Sequence, residues 1–240
     1  RDRFHVTGVK AEFEAEGTRM DEAMLLKDLV GRAGVGLNIK IGGCEAIKDM
    51  FDAIALGAER IIAPMVETPY ALRKFVQAAK IAFVNGGHDD CELLINLETM
   101  TSFENFDAML AVPEISMLHG IVIGRVDLTG SMGLGRDQVN SQRILELCLG
   151  AAAKAKAVGL GVIVGGGVSA DSLPFFRAFP AGHIDRFETR KVIFSCPGAI
   201  GTPDAAFLRA VEFELLWLRQ PPDYAAADAF IVGSSLKHGG

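Results

Sequence analysis

Short β-branched runs alternate with longer amphipathic segments along most of the chain, and this alternation limits the possible folds more than any other feature. The runs are GVKAEFEAE (8–16), GLNIKIGG (36–43), RIIAPMVE (60–67), LLINLET (93–99), GIVIGRVDL (120–128), GVIVGGGVS (161–169) and RFETRKVIFS (186–195). Between them lie segments such as CEAIKDMFDAIALG and NSQRILELCLGAAAKAKAVG, the second ending in basic residues and a glycine as helices do. Strands and helices in turn imply crossover connections and a parallel sheet. Units spaced about 25–30 residues apart predict an α/β fold, a (β/α)8 TIM-type barrel with one strand truncated at the N-terminus. A doubly wound open sheet is the alternative, but no GxGxxG opens a helix after the first strand. A chain of 240 residues suits one barrel domain, expected over 1–200, with a helix and tail over 201–240 as an oligomer contact. In TPDAAFLRAVEFELLWLRQPP, Thr202 is placed to cap that helix, Pro203 to open it and Pro221 to end it. Its apolar face is wide enough for burial on two sides.

Period-2 reading of the strands separates two faces. Val9, Ala11 and Phe13 oppose Lys10, Glu12, Glu14 and Glu16; Leu37, Ile39 and Ile41 oppose Asn38 and Lys40; Leu93, Ile95 and Leu97 oppose Glu92, Asn96 and Glu98. Arg125 goes with Asp127, and Arg186 with Glu188 and Arg190. In a barrel the apolar face meets the helices, so the charged faces are expected to point at the axis. Barrels usually fill that space with branched aliphatics. A nearly charge-balanced interior suits a charged ligand instead; an antiparallel sheet with one wet face would give the same alternation.

Two of these runs, LLINLE and GIVIGRVD, end in carboxylates, Glu98 and Asp127. An ionised carboxylate is costly to bury unless a cation or hydrogen bonds compensate it. Either the two acids are solvated in loops or pair with Arg125 and Lys40, or they hold a divalent cation at the catalytic end of the barrel, where Mg2+ or Mn2+ takes oxygen ligands and keeps waters. The glycine run in GVIVGGGVSADS reads as a phosphate cradle or as a tight turn with close packing. In DRFETRK, Arg186 and Arg190 are candidates to bind a carboxylate or phosphate, or to form a salt network around Glu188.

The stretch INLETMTSFENFDAMLAVPEISMLHGIVIGRVDLTGSMG resembles the metal-site region of the HpcH/HpaI aldolase/citrate lyase family, with its IET-like strand end and its IG-x-x-DL motif. KIGGCEAIKDMFDAIALGAERIIAPMVETPYALRKFVQAA is similar to the region upstream of that site. The resemblance covers roughly residues 8–195. It implies a (β/α)8 barrel, often with a C-terminal helix exchanged between subunits, and reversible carbon–carbon bond cleavage of a 2-oxo acid through an enolate. It implies that Glu98 and Asp127 are the ligands of Mg2+ or Mn2+, with backbone amides around Gly124 and Val126 holding a substrate carboxylate. Lys40 stands where the family's aldolases carry Arg, and supplies charge without a bidentate fork. Glu14 and Glu16 match the family's acids, and Gly17 falls where its His is found. Glu14, Glu16 or Arg19 is therefore expected to take over proton transfer. Arg125, Arg186 and Arg190 are the expected anion binders.

The net charge of −6, with Lys and Arg scattered among acids, argues against nucleic acid and anionic membrane as partners. No run of about 18 apolar residues is present to span a bilayer. The four cysteines lie far apart without CxxC spacing, as expected of free thiols in a cytoplasmic protein. The expected activity is thus a metal-dependent carbon–carbon lyase acting on a small anionic, pyruvate-like substrate, in a homo-oligomer. A phosphoryl mutase or isomerase on a phosphorylated substrate, and a non-catalytic binding homologue, are the alternatives.

Overall fold

The computed structural model describes residues 2–13, 15–83, 90–201 and 205–218. Eight strands close into a barrel in sequence order. They are β1 (Val6–Glu12), β2 (Gly36–Lys40), β3 (Arg60–Ala63), β4 (Glu92–Leu97), β5 (Gly120–Gly124), β6 (Gly161–Gly165), β7 (Arg186–Glu188) and β8 (Val192–Ser195). The helices are α1 (Met20–Ala33), α2 (Ile47–Ala55), α3 (Pro69–Ala82), α4 (Met100–Glu104), α5 (Phe106–Leu110), α6 (Arg125–Ser131), α7 (Gln142–Ala157), α8 (Leu173–Arg177) and α9 (Ala205–Leu218).

Strands β1 to β7 are mutually parallel, and β8 runs antiparallel to both β7 and β1. The run 186–195 is therefore a hairpin and not one strand. Only Thr189, Arg190 and Lys191 join its arms, too few residues for a parallel crossover. The turn is tied by Thr189 N to the Val192 carbonyl at 2.9 Å and by Val192 N to Thr189 Oγ1 at 3.1 Å. The strand expected to be truncated at the N-terminus is thus found at the C-terminal end, as β8.

Strands β1 to β6 also end two to four residues earlier than the apolar runs suggest, because the last residues of each run bend into the loops at the barrel mouth. The run 120–128 divides in this way: β5 stops at Gly124, and Arg125 and Asp127 lie in the first turn of α6.

The outward faces, including Val9, Ala11, Leu37, Ile39, Ile61, Leu93, Ile95 and Ile121, form one core with the helices. The inward positions follow the register Lys10–Asn38, Glu12–Lys40, Asn38–Arg60, Lys40–Ile62 and Ile62–Leu94. Lys10, Glu12, Asn38, Lys40, Arg60, Asn96 and Glu188 share the interior with a separate aliphatic cluster of Ile62, Leu94, Val122 and Ile163. That cluster lies on the four adjacent strands β3 to β6, across the interior from buried Lys10 and Asn38.

Helix α9 packs Ala206, Phe207, Ala210 and Phe213 into the core. Glu214 Oε1 accepts from Thr189 Oγ1 at 2.7 Å and from Lys191 N at 3.0 Å, fastening α9 to the hairpin turn. Thr202, Pro203 and Pro221 lie outside the described residues, as does the tail after Leu218.

Candidate active site at the C-terminal mouth

Glu98 follows the last residue of β4 and is 1% exposed. Its Oε1 accepts from Met65 N at 2.9 Å and its Oε2 from Asn96 Nδ2 at 2.7 Å. Met65 holds a left-handed backbone with φ of 51°, a conformation that costs a non-glycine residue of order 1–3 kcal/mol. This strained turn, in the PMVET stretch after β3, aims an amide at the carboxylate. Across β5, Gly124 lacks the Cβ that would stand 2.8 Å from Glu98 Cβ and 2.9 Å from Oε2. Burial pushes the Glu98 carboxyl up, and Asp127 adds to this; Lys40 and the two hydrogen bonds oppose it without cancelling it.

Asp127 is exposed in the first turn of α6, and no hydrogen bond or ion pair from the described residues holds it. Neither acid is paired with Arg125 or with Lys40, so the simple salt-bridge reading of the two carboxylates fails. A buried carboxylate with raised proton affinity next to a free one is a donor set suited to a divalent cation. Two oxygen ligands leave the remaining positions for water and substrate, as Mg2+ prefers. Among the described residues no cluster of three or more His, Cys, Asp or Glu competes for that role.

Lys40 ends β2 at the same mouth, its Nζ 3.8 Å from Glu12 Oε2. Glu12 Oε1 is 3.2 Å from Lys10 Nζ, which donates to Glu188 Oε1 at 2.6 Å. Burial pushes Glu12 up, but Lys10 and Lys40 together bring it below the usual carboxylate range. Burial likewise disfavours the Lys10 ammonium, and Glu188 and Glu12 overcome this and raise its pKa. Two buried oxygens, Asn96 Oδ1 and Glu188 Oε2, have no hydrogen-bond partner among the described residues.

Glu16 receives Arg190 Nε at 2.9 Å on Oε1 and Lys191 Nζ on Oε2. Arg190 is exposed and lies in the hairpin turn, not on a strand face directed at the axis. Gly17 has a φ of 62° and Arg19 serves the N-terminus of α1 through Glu22. Glu14 lies outside the described residues.

The other two arginines are not where the period-2 pattern put them. Arg125 is 0% exposed and turned beneath α6. It donates to the Gly165 carbonyl at 3.0 Å and to Asn140 Oδ1 at 2.7 Å, and its guanidinium lies 4.6 Å from the Phe175 ring centroid. Its helical position explains this, since a strand face no longer constrains it. Arg186 opens β7 at the opposite, N-terminal mouth, so it does not share a site with Arg190.

The glycine run is used for close packing. A Cβ on Gly165 would meet Glu188, and one on Gly167 would meet Val139 and Val126. At Gly166, with φ of 79°, a Cβ would lie 2.6 Å from the amide nitrogens of both Arg125 and Val126. The missing side chain leaves those first-turn amides of α6 uncovered. The strain at Met65 and the unpaired Asn96 oxygen could not be read from the sequence, because both depend on the position of Glu98 in space.

An eight-stranded barrel closed in sequence order, with helices between its strands, defines the class of this protein as a TIM-type barrel. The chain belongs to the HpcH/HpaI aldolase/citrate lyase family, whose model matches residues 29–165, more than half of it. It is 28% identical to a 2-keto-3-deoxy-L-rhamnonate aldolase of Klebsiella pneumoniae subsp. pneumoniae, in a match covering 44% of this chain and 46% of that protein. The chain thus spans less than half the length of that curated relative. Among solved structures it resembles the HpcH/HpaI aldolase from Desulfitobacterium hafniense DCB-2, with TM-score 0.63 and 15% identity over 90% of this chain and 85% of that one. It also resembles the citrate synthase SbnG, with TM-score 0.60 and 15% identity over 90% and 84% of the two chains. At such identities these structures speak for the fold.

Proposed function

We propose that this protein is a divalent-metal-dependent carbon–carbon lyase that cleaves or forms a bond at the carbon next to the carbonyl of a 2-oxo acid, by way of its enolate. The observation that carries the reading is Glu98, a buried carboxylate with no cation in salt-bridge contact among the described residues, beside a free Asp127. Glu98 and Asp127 would hold Mg2+ or Mn2+, which supplies positive charge to polarise the substrate carbonyl and to stabilise the enolate. The amides at the start of α6, around Gly124 and Val126, receive the substrate carboxylate, helped by the helix dipole. Lys40, steered by Glu12, presents its ammonium to a substrate oxygen. Glu14 or Glu16 carries the proton that moves at the carbon next to the carbonyl, in place of the histidine absent at Gly17. Arg190, with part of its guanidinium free of Glu16, meets the far, anionic part of the substrate. The aldolase activity in the name of the Klebsiella relative supports the reaction class.

The same reading places the enzyme in the cytoplasm as a homo-oligomer. Its four cysteines are free thiols, in keeping with a reducing compartment. Among the described residues no helix is long and apolar enough to cross a membrane. Helix α9 turns Leu208, Val211, Leu215 and Leu218 outward, a stripe suited to a second copy.

The test is exchange of the pyruvate C3 protons into heavy water, with Mn2+ or Mg2+ and after chelation. Metal-dependent exchange that disappears in Glu98→Gln supports the reading. Exchange that persists in Glu98→Gln removes the ligand assignment. Absence of exchange with metal bound removes the enolate chemistry for this substrate.

A further inference from the structure

The end of the barrel opposite Glu98 holds a cavity of about 290 Å3 lined by Val6, Thr7, Gly34, Val35, Gly36, Glu59, Arg60 and Arg186. Val6, Gly36, Arg60 and Arg186 are the first residues of β1, β2, β3 and β7, so the cavity is the N-terminal mouth. The aliphatic cluster of Ile62, Leu94, Val122 and Ile163 fills the β3–β6 side of the interior above it.

Three carboxylates face Arg186: Glu92, Glu59 and Asp185. Each has a nearer donor. Arg60 donates from Nε to Glu92 Oε2 at 2.5 Å and from Nη2 to Glu59 Oε1 at 2.9 Å. Asp185 Oδ2 accepts from Lys156 Nζ at 2.5 Å and from Val162 N at 2.7 Å. Arg60 is completed by Asn38 Oδ1 at 3.3 Å. Arg186 is left half-buried with no hydrogen bond and no ion pair among the described residues, and the neighbouring Arg60 charge repels it. A guanidinium removed from much of its water and given no acceptor is costly unless something supplies one. Its planar fork matches an oxyanion, and the cavity has room for a small molecule.

We propose that Arg186 and this N-terminal mouth form a second binding site for a small oxyanion, a carboxylate or a phosphate, separate from the candidate active site. The site does not depend on the lyase reading. Thr7, in the wall beside Arg186, offers a hydroxyl whose bond to the Ile193 carbonyl is long at 3.5 Å. Arg186 and Glu188 point inward from the same short strand, and Glu188 anchors Lys10 at the other end.

Inorganic phosphate and acetate, each titrated against chloride at matched ionic strength, are the probes. Binding to the full chain is read by calorimetry and melting temperature. The expected result is saturable binding of at least one probe that weakens about tenfold or more in Arg186→Gln, as loss of a charged hydrogen-bonding partner implies, and that survives in Glu98→Gln. The arm that binds identifies the oxyanion. Should Arg186→Gln fold poorly, the unmutated protein is treated with phenylglyoxal, and the peptide bearing Arg186 is quantified by mass spectrometry. The bound probe should protect Arg186 while leaving exposed Arg143 and Arg177 reactive. Equal affinity in Arg186→Gln, loss of binding in Glu98→Gln, no binding of either probe, or no protection would each overturn the proposal.

Discussion

Glu98 concentrates most of what the candidate site can do, and its environment makes opposite demands on folding and on metal binding. Its carboxyl titrates above the usual glutamate value because burial disfavours the charge. A carboxylate whose folded pKa is raised contributes against stability above that pKa, and this contribution fades as pH falls through it. In Glu98→Gln the charge disappears while an amide remains to meet Met65 N and Asn96. The metal-free variant should therefore melt at or above the wild-type temperature at neutral pH, and lose metal-dependent turnover by about two orders of magnitude or more. A variant that unfolds would show that the carboxylate has a structural role. In the wild type, Mn2+ affinity measured by calorimetry should begin to fall, on acidification, at a pH above the ordinary glutamate range, since a proton competes for Glu98. Gly124→Ala should act on the same residue through space, pushing a methyl against Glu98. Weaker metal binding with a loss of about 1–3 kcal/mol in stability is expected, the usual cost of overpacking.

The β7–β8 hairpin is the element that departs most from a repeating barrel, and aromatic packing holds it. Phe187 stacks on Phe176 of α8 at 4.7 Å, on Phe194 of β8 at 5.1 Å and on Phe207 of α9 at 5.7 Å. One ring thus joins four elements where a strand pair of three and four residues could not hold itself. Phe187→Ala should cost about 3–5 kcal/mol, read by urea denaturation. Most of the catalytic-mouth contacts of Arg190 and Lys191 should weaken with it, because Glu214 and Glu16 hold the turn only while α9 and the hairpin stay packed. Gly166 is a second element-scale constraint. Its φ is 79°, and an added methyl would lie 2.6 Å from the α6 amides, so Gly166→Ala has to move backbone and not a flexible side chain. The α6 entry, and with it Asp127, should shift.

On the scale of the molecule, the barrel interior is polar along β1, β2 and β7 and aliphatic midway along β3 to β6. Its acid limb has two opposite contributions. Glu12, held below the usual range, contributes stability above the unfolded glutamate value that is lost as pH falls through its folded pKa; Glu98 does the reverse. The outward stripe on α9, with Leu208 70% and Leu218 57% exposed, is left uncovered among the described residues. Leu215→Glu should shift the protein to a smaller species by light scattering if that stripe joins copies, and should leave its mass unchanged if it does not.

The alternation of strand and helix patterns gave the parallel α/β class from the sequence alone and favoured a barrel over an open sheet, because a parallel strand needs a crossover and a one-sided helix needs a sheet to cover. The period of two likewise identified Lys10, Glu12, Lys40 and Glu188 as inward residues, since side chains alternate faces along a pleated strand. What periodicity could not determine was where each strand stops. Only the tertiary structure put Arg125 beneath α6, turned the run 186–195 back on itself and separated Arg186 from Arg190 by the length of the barrel. A strand end is decided by which backbone amides find partners on the neighbouring strand, and that is a property of the closed sheet and not of any one segment.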